Sequence, residues 1–172
     1  MKCYHEFPLS TVIYNLVTLG GAAVAGVVIV AQFGLGAAIG YAALLALAGA
    51  GVLAAVCARC GYYGRRCALG LGQIVPPIFK KGSEEEFFRT ASQFVALGAL
   101  VILLLLPIAG GVALLARGFS AWRLALLAAQ VGLLLAGLAP HPKLVCDHCC
   151  QGESGNCPVG RQVWKAKLAH EG

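Results

Sequence analysis

Charged residues are absent from most of this chain. Residues 7–58 contain no Asp, Glu, Lys or Arg, and residues 90–116 and 124–142 form two further runs without them. Since one helix crosses the hydrocarbon core of a bilayer in about 20 residues, the first run is long enough for two crossings and each of the others for one. A composition of 59% hydrophobic and 12% charged residues is far from that of an ordinary soluble domain. We therefore predict an integral membrane protein.

The apolar runs predict an all-α fold, a bundle of four transmembrane helices. We place these helices at residues 9–33, 35–56, 94–116 and 119–139, with a break at Phe33-Gly34-Leu35-Gly36 between the first two. The first run is longer than the apolar region of a signal peptide, which has about 7–15 residues. We expect it to remain in the protein as a helix.

A few residues inside the predicted spans indicate how the helices pack against one another. Small residues recur at four-residue spacing in the first two spans, at Ala22 and Gly26 and at Gly36 and Gly40. This spacing favours close approach of helix backbones in a membrane. Pro107 predicts a kink in the third span. Asn15 and Gln130 are polar side chains in apolar surroundings, and we expect both to form hydrogen bonds between helices.

Catalytic constellations are also missing. The sequence shows no Ser/His/Asp set, no pair of carboxylates placed for acid–base chemistry and no glycine-rich phosphate loop. No enzyme class is therefore predicted, and whether the protein is an enzyme stays open. The predicted spans contain no Cys or His, and their only charged residue is Arg123 near the start of the fourth, which disfavours passage of a metal ion through the bundle. No nucleic-acid-binding motif is present, and we expect no nucleic-acid partner.

Lys and Arg are distributed unequally between the two sides of the predicted bundle. Residues 59–89 include six, the segment after Pro140 has four and Lys2 adds one, against only Arg117 and Arg123 on the other side. This bias predicts, by the positive-inside rule, that both termini and the middle segment are cytoplasmic. We expect a multi-pass protein of the inner (cytoplasmic) membrane. Its net charge of +6 then lies mostly next to the lipid bilayer and favours contact with anionic lipid.

All eight cysteines lie in polar segments that this topology places on one side. Cys3 stands alone in the first segment, and the other cysteines form a second group (Cys57, Cys60 and Cys67) and a third (Cys146, Cys149, Cys150 and Cys157). The second and third groups share the pattern C-x2-C, six or seven residues, C-x2-G, and each follows a pair of predicted helices. We therefore predict two hairpin repeats. The first half covers residues 1–70 with a first cysteine segment at 57–70, and the second half covers residues 94–172 with a second cysteine segment at 146–160. Residues 71–93 form an interfacial connector, and the cysteine segments form a cytoplasmic cap.

The cysteine spacing predicts metal binding. A C-x2-C turn brings two sulfurs within reach of one ion, and zinc takes four thiolate or imidazole ligands in a tetrahedron. Because the cytosol keeps thiols reduced, clustered cysteines there indicate metal or redox chemistry before structural disulfides. The predicted ligands are Cys57, Cys60 and Cys67 for one centre and Cys146, Cys149 and Cys157 for the other, with Cys3, His5, His148 and Cys150 as possible additional ligands.

These sites predict a structural or docking subunit that carries two cytoplasmic zinc–thiolate centres. Three alternatives use the same thiols. Iron–sulfur clusters would make the protein an electron-transfer subunit, although neither segment has the C-x2-C-x2-C run of ferredoxins. A quinone-linked oxidoreductase would exchange thiols and disulfides through a C-x2-C pair. A protein that handles soft metal ions would also favour thiolate ligands.

An aromatic and basic patch follows the first C-x2-C pair. It consists of Tyr62, Tyr63, Arg65 and Arg66. We expect it to contact lipid headgroups or a membrane or cytoplasmic protein partner, unless it is a solvated loop.

A helix start is predicted shortly before the third span. Ser83 precedes Glu84, Glu85 and Glu86, and serine is a favoured N-cap residue while acidic residues suit the first turn of a helix. We expect this helix to continue into the third span.

Overall fold

The computed structural model describes residues 3–87, 90–153, 157, 160 and 162. Helices account for 73% of the structure, and the described residues contain no strand. The helices are α1 (Leu9–Asn15), α2 (Gly21–Ala31), α3 (Leu35–Ala55), α4 (Thr90–Arg117), α5 (Ala121–Leu138), α6 (His141–Leu144) and α7 (Cys150–Glu153). A π-helical turn, Leu16–Gly20, joins α1 to α2. The C-terminal tail after residue 162 lies outside the described residues.

Four stretches of the structure are long and apolar enough to cross a membrane. They are Leu9–Ala31, Leu35–Arg59, Ser92–Arg117 and Ala121–His148, and we refer to them as the first to fourth spans. The prediction of an all-α fold with four such helices is confirmed. The division into two repeated halves at residues 1–70 and 94–172, with a connector at 71–93, stays a prediction.

The link between the first two spans contains Gly34, as the sequence predicted. Gly34 has a φ of +123°, a backbone conformation that L side chains rarely adopt, so glycine is required there. At the same end of the bundle, the guanidinium of Arg117 lies 5.3 Å from the centre of the Phe33 ring. Arg123 donates to the backbone oxygens of Leu114 and Gly118 at 3.2 and 3.0 Å. The two cations predicted for this outer end are therefore held by local contacts.

Three helices pack closely around Gly26 in the middle of the bundle. A Cβ atom at Gly26 would lie 2.8 Å from the hydroxyl of Tyr41 and 2.9 Å from Cγ of Pro107. The α2, α3 and α4 helices thus meet at a residue that must be small. Around Gly36 and Gly40, by contrast, a Cβ would meet no atom within 4 Å. Of the two small-residue pairs, only the one that contains Gly26 provides close helix contact.

The first and fourth spans contact each other around the π-helical turn. Tyr14 donates its hydroxyl to the Ala136 carbonyl at 2.6 Å. A Cβ at Gly137 would lie 3.1 Å from Oγ1 of Thr18. π-Helical turns insert an extra residue into a helix and so shift the residues that follow. Here the turn begins directly after Asn15, whose side chain donates a hydrogen bond to the Ala68 carbonyl in the first cysteine segment.

The predicted helix start at Ser83 was wrong. Glu84–Glu86 form a single 3-10 turn, Ser83 makes no side-chain capping bond, and Phe87 is extended, with ψ of 126°. The acidic side chains are used instead in ion pairs, from Lys81 to Glu84 at 2.8 Å and from Arg59 to Glu86 at 3.1 Å. Glu86 therefore ties the connector to the end of the second span, and Glu84 forms an ion pair within the connector, rather than stabilising a helix N-terminus.

Candidate functional site

Three segments that are distant in sequence meet at one end of the bundle. They are residues 3–8, 57–72 and 145–153, which we call the polar end. The Tyr4 N–H donates to the His148 carbonyl at 2.8 Å, and the Phe7 N–H donates to the Arg66 carbonyl at 3.0 Å. The N-terminal segment therefore lies between the two cysteine segments and joins them through backbone hydrogen bonds.

A small apolar core lies beneath these contacts. Phe7, which is 1% exposed, packs with Tyr62, Ala68 and Val145. Burial of a phenylalanine side chain contributes roughly 1.5–3 kcal/mol where it is removed from water. Packed against this core are the side chains of Cys60, Cys67, Cys149 and Cys150, together with Val12. Cysteines of both segments therefore share one core.

Asn15 connects the first span to the first cysteine segment. Its side chain is 2% exposed, and Nδ2 donates to the Ala68 carbonyl at 3.1 Å and to the Thr11 carbonyl at 2.9 Å. The expectation of a bond between two membrane helices was wrong for this residue. Its amide holds the loop of the cysteine segment because Ala68 presents a buried backbone oxygen that needs a donor.

The two C-x2-C turns have the same backbone conformation. Cys57–Arg59 and Cys146–His148 are both 3-10 turns, and each follows a valine with φ near −110° and ψ of −58°: Val56 at −107° and Val145 at −118°. The N–H groups of the third and fourth residues bond to matching carbonyls in both turns, at 3.1–3.3 Å. The two cysteines of each turn are close enough to raise each other's pKa, and whether their sulfurs share one ion stays a prediction.

The third cysteine of each segment receives a backbone hydrogen bond on its sulfur. Gly72 N–H donates to Sγ of Cys67 at 3.4 Å, and Gly160 N–H donates to Sγ of Cys157 at 3.4 Å. Backbone N–H groups directed at sulfur stabilise negative charge on it. The two segments therefore share a second structural feature beyond their turns.

The second cysteine of each C-x2-C pair is surrounded in the same way. Cys60 accepts from the backbone N–H of Tyr62, and Cys149 accepts from those of Gln151 and Gly152. Tyr62 also contributes its hydroxyl, which interacts with the Cys149 thiol. In both segments the backbone donors stand two or three residues after the cysteine, because the chain turns back over the sulfur.

Neither Gly72 nor Gly160 has room for a side chain. A Cβ at Gly72 would overlap the carbonyl oxygens of Tyr62 and Arg65, and a Cβ at Gly160 would lie 2.7 Å from Cα of Gly152. These are the same glycines whose N–H groups reach sulfur. Close approach of backbone to backbone is thus what allows each donor to reach its cysteine.

The thiols of the two segments lie within electrostatic reach of one another. The pKa of Cys60 is raised to about 12, mainly by burial and to a smaller extent by repulsion from the neighbouring Cys67, Cys149 and Cys57. Burial also raises the pKa of Cys149, with Cys157 adding to the effect. Cys146 interacts in turn with Cys149 and Cys157. As neutral thiols these groups are protonated near pH 7, and a nearby cation is needed to keep them as thiolates.

The six predicted ligands are brought together in two neighbouring sets but are not arranged around a point. Among the described residues, no three His, Cys, Asp or Glu side chains are placed to hold one metal ion. Cys3 and Cys150 form a disulfide with a Cα–Cα distance of 5.0 Å, so neither is a ligand while the bond exists. His148 stacks on the ring of Tyr4 at 4.5 Å, and His5 lines a cavity at the polar end.

Tyr62 and Tyr4 are structural residues of the site that sequence reasoning missed. The Tyr62 hydroxyl donates to the Tyr4 carbonyl at 2.7 Å and accepts from the Cys150 N–H at 3.1 Å. Tyr62 is 4% exposed, so it is not part of the aromatic and basic patch that was expected to face lipid or a partner. Arg65 of that patch is exposed. The position of Tyr62 beside a C-x2-C pair was the available signal that it belongs to the site, but nothing in the sequence places Tyr4 opposite Tyr62.

Comparison of the chain with protein-family models, with curated proteins and with solved structures gave no match. The function must therefore be argued from the geometry of the polar end.

Proposed function

We propose that this chain is a multi-pass membrane protein whose polar end carries two zinc–thiolate centres and serves as a structural or docking surface. Cys57, Cys60 and Cys67 hold one ion. Cys146, Cys149 and Cys157 hold the other. The four spans anchor these centres at the membrane, and we propose the cytoplasmic side because most Lys and Arg residues lie there.

The observation that carries the proposal is the shared conformation of the two segments. Each has a 3-10 C-x2-C turn after a valine and a glycine N–H directed at the third sulfur. Turns of this kind present paired thiolates to a tetrahedral ion, and N–H donors at sulfur balance the excess negative charge of thiolate ligands. A pair of buried thiols that served only as packing would not need these donors.

Each centre requires one ligand beyond its three thiolates, because zinc takes four. His148 lies next to Cys149 in the chain and is the candidate for the second centre, provided that its ring leaves the stack on Tyr4. His5 is the candidate for the first centre while Cys3 is in the disulfide. Binding would therefore draw the sulfurs of each set together and turn one imidazole.

The proposal is tested by metal analysis of the full chain, purified anaerobically in detergent without added metal. We expect about two zinc ions per chain, as two separate tetrahedral sites require. Joint replacement Cys57→Ser and Cys60→Ser should remove about one ion, and Cys146→Ser with Cys149→Ser should remove the other. The matched control, Cys3→Ser with Cys150→Ser, should retain both.

Two outcomes would reject the zinc centres. A metal-free chain that keeps its native resistance to proteolysis at the polar end would show that the segments fold without an ion. A brown protein whose absorption in the blue is bleached by dithionite would show iron–sulfur clusters on the same cysteines and would make electron transfer the function.

A further inference from the structure

A cavity of about 210 Å³ opens at the polar end beside the disulfide. One wall is formed by Cys150, the partner of Cys3. The other walls include His5, Gly61, Tyr62, Arg65 and Glu84. None of the six thiols assigned to the zinc centres is among the lining residues. The cavity thus lies next to these thiols and shares only His5, the candidate fourth ligand of the first centre, with them. It adjoins the disulfide of the two cysteines that the centres do not use.

The cavity presents both signs of charge. Arg65 is exposed, and no ion pair among the described residues involves it. On the other side, Glu84 pairs with Lys81 through Oε1, while its Oε2 lies 3.4 Å from the position of a Cβ at Gly61. A ligand with a carboxylate and an ammonium group would meet a complementary charge for each.

We infer that this cavity binds a small zwitterionic thiol, which exchanges with the Cys3–Cys150 disulfide. The chemical class is an amino acid or short peptide that carries a thiol, a carboxylate and an ammonium group. Arg65 receives the carboxylate and Glu84 the ammonium. Both contacts direct the sulfur of the ligand towards Cys150.

The exchange balances without any other reactant. The thiolate of the ligand attacks Sγ of Cys150, a new sulfur–sulfur bond forms, and the Cys3–Cys150 bond breaks with its electron pair on Cys3, which takes up a proton. A second thiol molecule attacks the mixed disulfide at the sulfur of the ligand and releases Cys150 as a thiol. Two thiol molecules are thereby oxidised to one disulfide, and the protein disulfide is reduced.

The proposed orientation of the chain supports this role. Disulfides on the cytosolic side of a membrane are rare, and those that exist are usually transient and take part in redox chemistry. Cys3 and Cys150 are both partly exposed, so the bond is within reach of dissolved thiols.

The test compares thiols on the full chain, purified without reductant and kept in lipid nanodiscs. Cysteine, glutathione and uncharged 2-mercaptoethanol are added at equal thiolate concentration, and loss of the Cys3–Cys150 cross-link is followed by mass spectrometry after acid quenching. We expect cysteine or glutathione to react faster than 2-mercaptoethanol, with the mixed disulfide on Cys150. Whichever of the two is faster identifies an amino acid or a peptide as the preferred member of the class.

Variants distinguish recognition in the cavity from general charge attraction. Arg65→Gln should reduce the advantage of the zwitterionic thiol about two- to fivefold, the range expected for one exposed charge pair. Lys80→Gln removes an exposed positive charge from the same end outside the cavity and should leave the advantage unchanged. Gly61→Ala places a methyl group between Glu84 and Gln151 and should slow the zwitterionic thiol but not 2-mercaptoethanol.

Three results would overturn the inference. They are equal rates for charged and uncharged thiols, a mixed disulfide found on Cys3 instead of Cys150, and free Cys3 and Cys150 thiols in the oxidised preparation. Zinc measured on the same samples separates this inference from the proposed function, because selective exchange can persist when the centres are empty, and the centres can be full when exchange shows no selectivity.

Discussion

The side-chain amide of Gln130 donates to the backbone carbonyl of Leu103 at 3.4 Å. Leu103 stands four residues before Pro107, which lies inside α4. In a helix that carbonyl would accept from the N–H of residue 107, but proline has none. Gln130, on α5 and fully buried, thus provides the donor that Pro107 removes from its own helix. Within a membrane no water can take its place.

This relationship predicts an energetic coupling between Gln130 and Pro107. Gln130→Leu should destabilise the bundle more in the natural chain than in a Pro107→Ala background, where the new Ala N–H bonds to the Leu103 carbonyl. We expect a coupling of about 0.6 kcal/mol, with an upper range near 1.7, as for other hydrogen bonds between membrane helices. The measurement is a double-mutant cycle on unfolding of the detergent-solubilised protein by sodium dodecyl sulfate.

The coupling is a better test than the single substitution. Among the described residues, Oε1 of Gln130 is a buried acceptor without a partner, so replacing the side chain also relieves an unfavourable group. The free energy gained by removing this unpartnered acceptor is the same in both backgrounds, so it cancels in the double-mutant cycle. Gln32→Leu, at an exposed position in the link between the first two spans, is the matched control and should show no coupling to Pro107→Ala. An equal cost of Gln130→Leu in both backgrounds would contradict the assignment.

The sequence was sufficient for the four spans because long runs without charge have few other stable environments. It also identified Gln130 as a hydrogen-bonding group between helices. It did not identify Leu103 as the partner, because that requires the rotation of α5 against α4. Asn15 shows the same limit: its burial could be expected, but the carbonyl it reaches belongs to a loop 53 residues away.

The cysteine spacing indicated which residues belong to the candidate site, but not how the three segments of the polar end pack together. Equal C-x2-C patterns predicted equal turns, since local hydrogen bonds determine a turn of four residues. The contacts of Tyr4 with Tyr62 and His148 depend on how the N-terminal segment lies between the two halves, and no local pattern encodes that. The same reasoning explains why Cys3 and Cys150 were named only as possible additional metal ligands, while in the structure they form a disulfide with each other.

A second prediction uses the two crowded glycines. Gly72→Ala should displace the N–H that reaches Cys67 and lower zinc content by about one ion, while Gly160→Ala should do the same for the centre of Cys157, because each centre has its own three thiolates. Zinc is measured by mass spectrometry on the purified chain.

Matched controls for these glycines lie in the spans. A Cβ at Gly98 or Gly132 would meet no atom within 4 Å, so Gly98→Ala and Gly132→Ala should leave zinc content unchanged. Loss of both ions from either Gly72→Ala or Gly160→Ala would indicate one shared cluster instead of two centres.

A third prediction concerns the reactivity of Cys60. Burial raises its pKa to about 12, so in the metal-free protein the thiol is neutral at pH 8 and only the small thiolate fraction reacts with iodoacetamide. The alkylation rate should rise about tenfold per pH unit from pH 8 to pH 10, without the plateau that an ordinary thiol of pKa about 8.5 reaches. Denatured chain is the control and should show that plateau. A plateau near pH 9 in the folded chain would show that Cys60 is solvated.

A fourth prediction concerns the side of the membrane on which the polar end lies. Lys80 is exposed at this end, in the connector between the second and third spans, and Phe119 is 78% exposed in the link between the third and fourth. Because α4 separates these two positions, a spanning helix places them on opposite sides. With most Lys and Arg at the polar end, the positive-inside rule predicts that Lys80→Cys is labelled by an impermeant maleimide only from the cytoplasmic side and Phe119→Cys only from the outer side. Labelling of each new cysteine is measured by mass spectrometry of its own peptide, so the native thiols do not interfere.

The reverse labelling pattern would invert the topology and remove the argument that thiols at the polar end meet a reducing compartment. Labelling of both positions from one side would show that α4 does not cross the bilayer.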